Sequence, residues 1–170
     1  MPKPKWNLNT IYISARLQES LRPISQSALT TVVAPMGYGK TTAVNWYLEE
    51  QAKAETLKII RISVYSDNIA ILWKSTQDAF YRAGFGFLRD CACPTDAAGG
   101  GFLADELCRE LAGDTPCFIF IDDFHLLTDD RATGFICNLA NRLPANVHLI
   151  VASRNRFLPD AEVVRLGAKL

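Results

Sequence analysis

Apolar residues in this chain fall into two kinds of segment that alternate along its length. Four short segments rich in apolar residues are Leu29–Ala34, Leu57–Val64 (interrupted by Lys58, Arg61 and Ser63), Cys117–Ile121 and Val147–Ala152. Segments of this length predict strands, and the unbroken run Cys117–Ile121 predicts burial on both faces of a parallel sheet. Between them the apolar positions recur at helical spacing. A helix is expected from Lys40 to about Lys53 and another from Asn68 to Ala83, which carries Ile69, Leu72, Trp73, Thr76, Ala79 and Phe80 with Gly84 as its stop. Two more are expected over Phe102–Ala112 and Asp129–Leu143. Trp73 sits on the apolar stripe and reads as a core residue. Upstream, Ile11-Tyr12-Ile13 leads into a short helix over Ala15–Leu21 that Arg22-Pro23 ends, and a short helical pattern follows Pro159. The stretch from Gly84 to Gly101, with Pro94 and three consecutive glycines, reads as a long irregular loop. Strands alternating with helices imply right-handed crossovers, so the expected fold is α/β, a three-layer sandwich with a parallel sheet at its centre.

The first strand runs into Ala34-Pro35-Met36-Gly37-Tyr38-Gly39-Lys40-Thr41-Thr42. Strand, glycine loop, Lys-Thr and helix make up the phosphate-binding loop of nucleoside triphosphatases. Gly37 and Gly39 allow φ > 0, so backbone N–H groups can face phosphate oxygens with no Cβ in the way. The following helix aims its positive end at the same anion. Lys40 supplies a point charge for the β- and γ-phosphates, and the Thr41 hydroxyl suits Mg²⁺. The nucleotide contacts expected of this stretch come from Pro35, Gly37, Tyr38, Gly39, Lys40, Thr41 and Thr42. Ala34 stands where the motif has its first glycine, at the end of a strand where a methyl group need not clash. The competing reading, a glycine-rich turn that merely contains Lys-Thr, does not require the flanking strand and helix that are present.

Asp122 and Asp123 end the third apolar run, and ligands of an open parallel sheet collect at the carboxyl ends of its strands. Asp122 is the candidate for the metal, through a water on Mg²⁺, and Asp123 for polarising the attacking water. Their alternative role is to cap the strand and open the turn to His125. Arg154 follows the fourth strand and could sense the γ-phosphate; alone it would read as a solvated loop arginine. His125 and His148 form no metal-binding pattern, and no Ser-His-Asp spacing is persuasive. There is no N-K-x-D for guanine and no glycine three residues after Asp122, which leaves ATP or ADP as the nucleotide.

Composition narrows the partners. The chain has 170 residues, 49% hydrophobic and 21% charged, enough for one domain with a sizeable core. Eighteen basic residues balance eighteen acidic ones, so no basic excess marks a nucleic-acid surface. No apolar run reaches the ~20 residues needed to cross a bilayer, and no signal peptide opens the sequence. The five cysteines lack zinc-ligand spacing; Cys117 and Cys137 lie in apolar segments as small core residues, and Cys91 and Cys93 form a loop C-x-C. A reduced cytoplasmic compartment is expected, with no membrane contact.

Three pieces together carry a resemblance: A-P-M-G-Y-G-K-T-T after T-T-V-V, F-I-F-I-D-D-F-H-L-L, and H-L-I-V-A-S-R. They resemble the nucleotide-binding domain of MalT-like regulators, the large ATP-binding members of the LuxR family within the STAND class of P-loop NTPases. The resemblance covers roughly residues 11–166. It implies an ASCE-type domain with sheet order 5-1-4-3-2, the fifth strand missing or only begun, after a lead-in over residues 1–28. It makes Lys40 and Thr41 the phosphate and Mg²⁺ residues, Asp122 and Asp123 the acidic pair, and Arg154 the sensor arginine. The segment Ile11–Arg16 would pass near the adenine. The usual W-x-S-L-D is only loosely matched by Arg61-Ile62-Ser63-Val64-Tyr65-Ser66-Asp67. In such proteins ADP holds a closed monomer, while inducer and ATP open it to self-associate and to bind DNA through a C-terminal domain, which is absent from this sequence. Two other functions stay open: a small P-loop kinase, for which residues 84–101 offer only Arg89 as a lid arginine, and an ADP-holding module without turnover.

Overall fold

The computed structural model describes residues 15–33 and 39–154. Its helices are α1 (Ala15–Leu21), α2 (Lys40–Ala54), α3 (Ile69–Arg82), α4 (Ala97–Leu111) and α5 (Asp130–Arg142). Its strands are β1 (Leu29–Val33), β2 (Lys58–Ser63), β3 (Cys117–Asp122) and β4 (Val147–Ser153), all parallel, in the order β1-β4-β3-β2. The register pairs Leu29 with Leu149, Ile119 with Leu149 and Ile60 with Ile119, stacking apolar residues across the sheet. The order agrees with the 1-4-3-2 part of the 5-1-4-3-2 order that the family resemblance implies. The fifth strand, expected to be missing or only begun, would fall outside the described residues.

Two cores flank this sheet. On one face, Phe118, Phe120 and Ile150 pack with Leu21 and Ile24 and with Val44, Tyr47 and Leu48 of α2. On the other, Ile60, Ile62, Ile119, Leu149 and Val151 pack under α3, α4 and α5 through Phe80, Leu107, Ile136 and Leu139. Alternation along β3 and β4 sends successive side chains to opposite cores, which is why these strands read as unbroken apolar runs. Each fully buried Leu, Ile or Phe contributes about 1.5–3 kcal/mol relative to exposure. β1 is more open: Thr31 and Val33 are exposed, whereas every residue of β4 except His148 is buried. Cys117 and Cys137 are buried as expected, and burial pushes the Cys117 thiol up to about 11.

Helix ends follow local chemistry. Asn68 caps α3 by accepting from the N–H groups of Ala70 and Ile71. Beyond its last turn Gly84 takes φ +96°, and Phe85 N–H returns to Phe80 O at 2.8 Å, the six-to-one bond of a left-handed helix stop.

The irregular loop expected up to Gly101 is shorter than the sequence suggests, because α4 begins at Ala97. Three glycines in a row argue against a helix on propensity alone. Asp96 overrides that weakness by accepting from Gly99 N–H at 2.7 Å. Packing supplies the rest: a Cβ at Gly100 would lie 3.5 Å from the Phe135 ring of α5, so a small residue lets the two helices approach. Arg142 ties the same pair together through the Gly101 carbonyl and Asp105.

Candidate functional site

The carboxyl ends of the strands converge on one edge of the sheet. Val33 is in register with Ser153, and Ser63 with Asp122. β4 lies between β1 and β3, so the end of β1 and the acidic turn after β3 flank the end of β4. Arg154 follows directly from that strand. Ala34, Pro35, Gly37, Tyr38 and the upstream Ile11 lie outside the described residues.

The described part of the glycine loop begins at Gly39, which has φ +75° and precedes α2. A left-handed residue turns the chain sharply into the helix, and a side chain there would be strained. No side chain caps α2; Ala43 N–H bonds to Gly39 O at 2.8 Å, while Lys40, Thr41 and Thr42 form the turn before it. Helix N–H groups with no side-chain cap suit an anion.

Thr41 then reaches across the sheet edge. Its hydroxyl donates to Asp122 Oδ2 at 2.6 Å, a contact between residues 81 apart in sequence. The other carboxylate oxygen of Asp122 accepts from Asp123 N–H at 2.9 Å. Asp122 is one of few buried polar residues, 9% exposed, so the apolar strand holds a carboxylate that two donors fix in place. Asp123 is placed differently. It is exposed and takes φ 58°, the lone non-glycine residue with positive φ among those described. Aspartate tolerates this conformation better than most residues, and such outliers gather at functional sites. The backbone turn thus separates the two carboxylates, and Asp123 opens the short 3-10 turn Phe124–Leu126.

Arg154 is exposed at the same edge, and its backbone N–H donates to His125 Nδ1 at 3.3 Å. His125 therefore joins the acidic turn to the end of β4, a positioning role that sequence spacing did not suggest. His148 acts elsewhere, at the start of the sheet. Its Nδ1 lies 2.9 Å from Ser27 O, and its ring stacks on Phe118 at 5.2 Å. Arg16 is an exposed residue of α1, whose Leu21 packs with α2.

A second connection was not visible in the sequence. Asp67 accepts from Thr128 N–H at 2.8 Å and from the Thr128 hydroxyl at 2.6 Å, bracing the segment after the acidic turn against the end of β2. These two bonds hold the Asp67 carboxyl below the usual aspartate range. Asp129 caps α5, and the Arg131 guanidinium and N–H beside it lower its carboxyl to about 2. Both groups bind more protons unfolded than folded in acid. Their stabilisation is complete above the ordinary aspartate value near pH 4 and is lost as the pH falls toward about 2. The melting temperature should therefore drop through that window. Asp67→Asn should shrink the drop, which melting curves from pH 2 to 6 measure; an unchanged slope would discount the brace.

Oxygen donors alone, one hydroxyl and one carboxylate at a sheet edge, suit a hard divalent cation completed by phosphate oxygens and water. No group of three or more His, Cys, Asp or Glu side chains that could hold a metal by themselves occurs among the described residues. No described helix is long and apolar enough to cross a membrane.

Sheet order and helix placement give an α/β fold of the P-loop NTPase type. Solved structures share this fold. Cdc6p from Pyrobaculum aerophilum superposes with a TM-score of 0.55 at 15% identity, over 96% of this chain and 44% of that one. Drosophila ORC bound to DNA gives 0.54 at 16% identity, over 88% and 42%. At such identities the likeness is one of fold. In sequence, the chain is 25% identical over 162 residues to the HTH-type transcriptional regulator MalT of Yersinia pestis, and equally to that of Yersinia pseudotuberculosis. The match takes in 95% of this chain but 18% of the relative's length. No family model matches the chain.

Proposed function

We propose that this domain is an ATP/ADP-binding switch of a signal-responsive transcriptional regulator, with slow ATP hydrolysis. The observation that carries this reading is the 2.6 Å hydrogen bond from Thr41 to Asp122. It joins the first turn of the glycine-loop helix to the end of the third strand, the place where Mg²⁺ and the terminal phosphates of a nucleotide would sit. Gly39, Lys40, Thr41 and Thr42, with Pro35, Gly37 and Tyr38 before them, are the residues proposed to hold the phosphates. Thr41 and Asp122 would hold Mg²⁺, the latter through water. When bound, Mg²⁺ supplies charge neutralisation at the β- and γ-phosphates. Asp123, free of the strand and exposed, would orient the attacking water, and Arg154 would sense the γ-phosphate. Ile11 and Arg16 are proposed to lie near the base.

The regulator part rests on the likeness to MalT and is a proposal about a larger protein, since this chain spans only 18% of that relative. Within it, residues 1–28 would be the lead-in and 29–170 the ATPase core. The ATP state would favour self-association, with DNA bound through a separate C-terminal domain, in the cytoplasm. The kinase alternative has no structural observation in its favour.

Thermal melting with Mg·ADP, Mg·ATP, Mg·GTP and no ligand tests the reading. At one hundred times Kd a ligand that binds only the folded state stabilises it by roughly 2.7 kcal/mol. For a domain of this size the melting temperature should rise by about 5–10 °C with either adenine nucleotide and little with GTP. No rise at millimolar ADP would overturn nucleotide binding by this chain.

A further inference from the structure

On the face of the sheet away from α2, the second core is not filled. A cavity of about 550 Å³ lies among α3, α4, α5 and the strands beneath them. Leu72, Trp73, Leu103, Leu107, Phe135 and Leu139 are among its walls, with Ile119 and Leu149 as its floor. Its volume is that of a ligand pocket and its walls are almost wholly apolar. The cavity is partly open to solvent, and apolar walls left against water cost about 25 cal/mol per Å². Water is a poor tenant, because it needs two to four polar partners. The Thr76 hydroxyl donates its one proton to Leu72 O at 2.8 Å within its own helix and could offer water only an acceptor. The Trp73 indole N–H is likewise engaged, by Cys91 O at 3.2 Å. Most polar residues of the lining gather where α4 and α5 begin, Thr95, Asp96, Asp129 and Arg131, while Asn138 lies further along α5. The shape is a largely apolar chamber with a polar rim.

We propose that this chamber is a binding site for an apolar small molecule, with at most one polar end facing the rim at Asp129 and Arg131. The occupant would lean on Ile121 and Phe124, which line the cavity and flank Asp122 and Asp123 in sequence. A bound molecule would thereby restrict the acidic turn from beneath, on the side away from the glycine loop. The binding site itself does not depend on the nucleotide reading.

The neutral dye N-phenyl-1-naphthylamine, which brightens in apolar surroundings, is a direct probe. Wild-type protein should bind it saturably at one molecule per chain, with a rise in melting temperature and a shift of the Trp73 indole N–H resonance. Two variants add bulk to the chamber, Leu103→Trp and Ala132→Phe. Each should weaken the dye at least tenfold while the far-ultraviolet circular dichroism stays that of the wild type. If one variant fails to fold, the other carries the comparison. Absence of saturable binding to the wild-type chain overturns the proposal, whether another part of the chain or collapse of the walls fills the space. Equal affinity in a folded filled variant overturns it too, by placing the dye elsewhere. Neither outcome overturns the adenine-nucleotide melts, which read the strand-end site around Thr41 and Asp122.

Discussion

Lys40→Ala should abolish detectable binding of both ATP and ADP. Lys40 is the first residue of α2, next to Thr41 and its contact with Asp122, in a helix start that has no side-chain cap. Its ammonium is the single mobile cation that the loop can bring to the β- and γ-phosphates, and charge-assisted bonds to phosphate are about twice as strong as neutral ones. A loss of roughly 100-fold or more is expected, about 2.8 kcal/mol. Lys40 belongs to neither apolar cluster, so the ligand-free melting temperature should change by no more than ~2 °C. Isothermal calorimetry paired with melting curves separates the two effects. Wild-type affinity in the variant would remove the phosphate role from this loop.

The second large effect concerns the acidic pair, whose members should fail in different ways. Asp122 is buried, bonded to Thr41 and to the next N–H, and belongs on the metal side. Asp122→Asn should leave nucleotide affinity without Mg²⁺ near that of the wild type and remove most of the gain that Mg²⁺ gives. Asp123 is exposed and in the left-handed region, with no core role to lose. Asp123→Asn should keep Mg·ATP bound and slow single-turnover hydrolysis by about 100-fold or more, the range for a lost general base. Should both variants hydrolyse at the wild-type rate, the pair would be a strand cap and no more.

Much of this architecture was legible in the sequence because the sheet is parallel and buried on both faces. Such strands leave unbroken apolar runs, and Cys117–Ile121 and Val147–Ala152 fall within residues of β3 and β4. The start of α4 was illegible for the opposite reason: Gly99-Gly100-Gly101 is helical because Asp96 caps it and Phe135 packs on it, and both causes are nonlocal or side-chain specific. In the candidate site, local motifs marked Lys40, Thr41, Asp122 and Asp123. Contacts between distant segments had no local signature. His125 touching the backbone of Arg154 is one, and Asp67 gripping Thr128 across 61 residues is another. The apolar cavity is also invisible in one dimension, since its lining residues are the same leucines and phenylalanines that would fill a solid core.

The pairing of β1 with β4 bears on how the chain comes off the ribosome. Leu29 emerges early, yet its strand partner Leu149 is made only near the end of the described sequence. Until then β1 has no neighbour in the described sheet. Pairings this remote in sequence are slow to form and leave intermediates with unpaired strand edges. A nascent chain halted before Val147 would thus carry the whole glycine loop with neither β4 nor its strand end. If the chain binds nucleotide as proposed, capture would report that the described sheet has closed through β4.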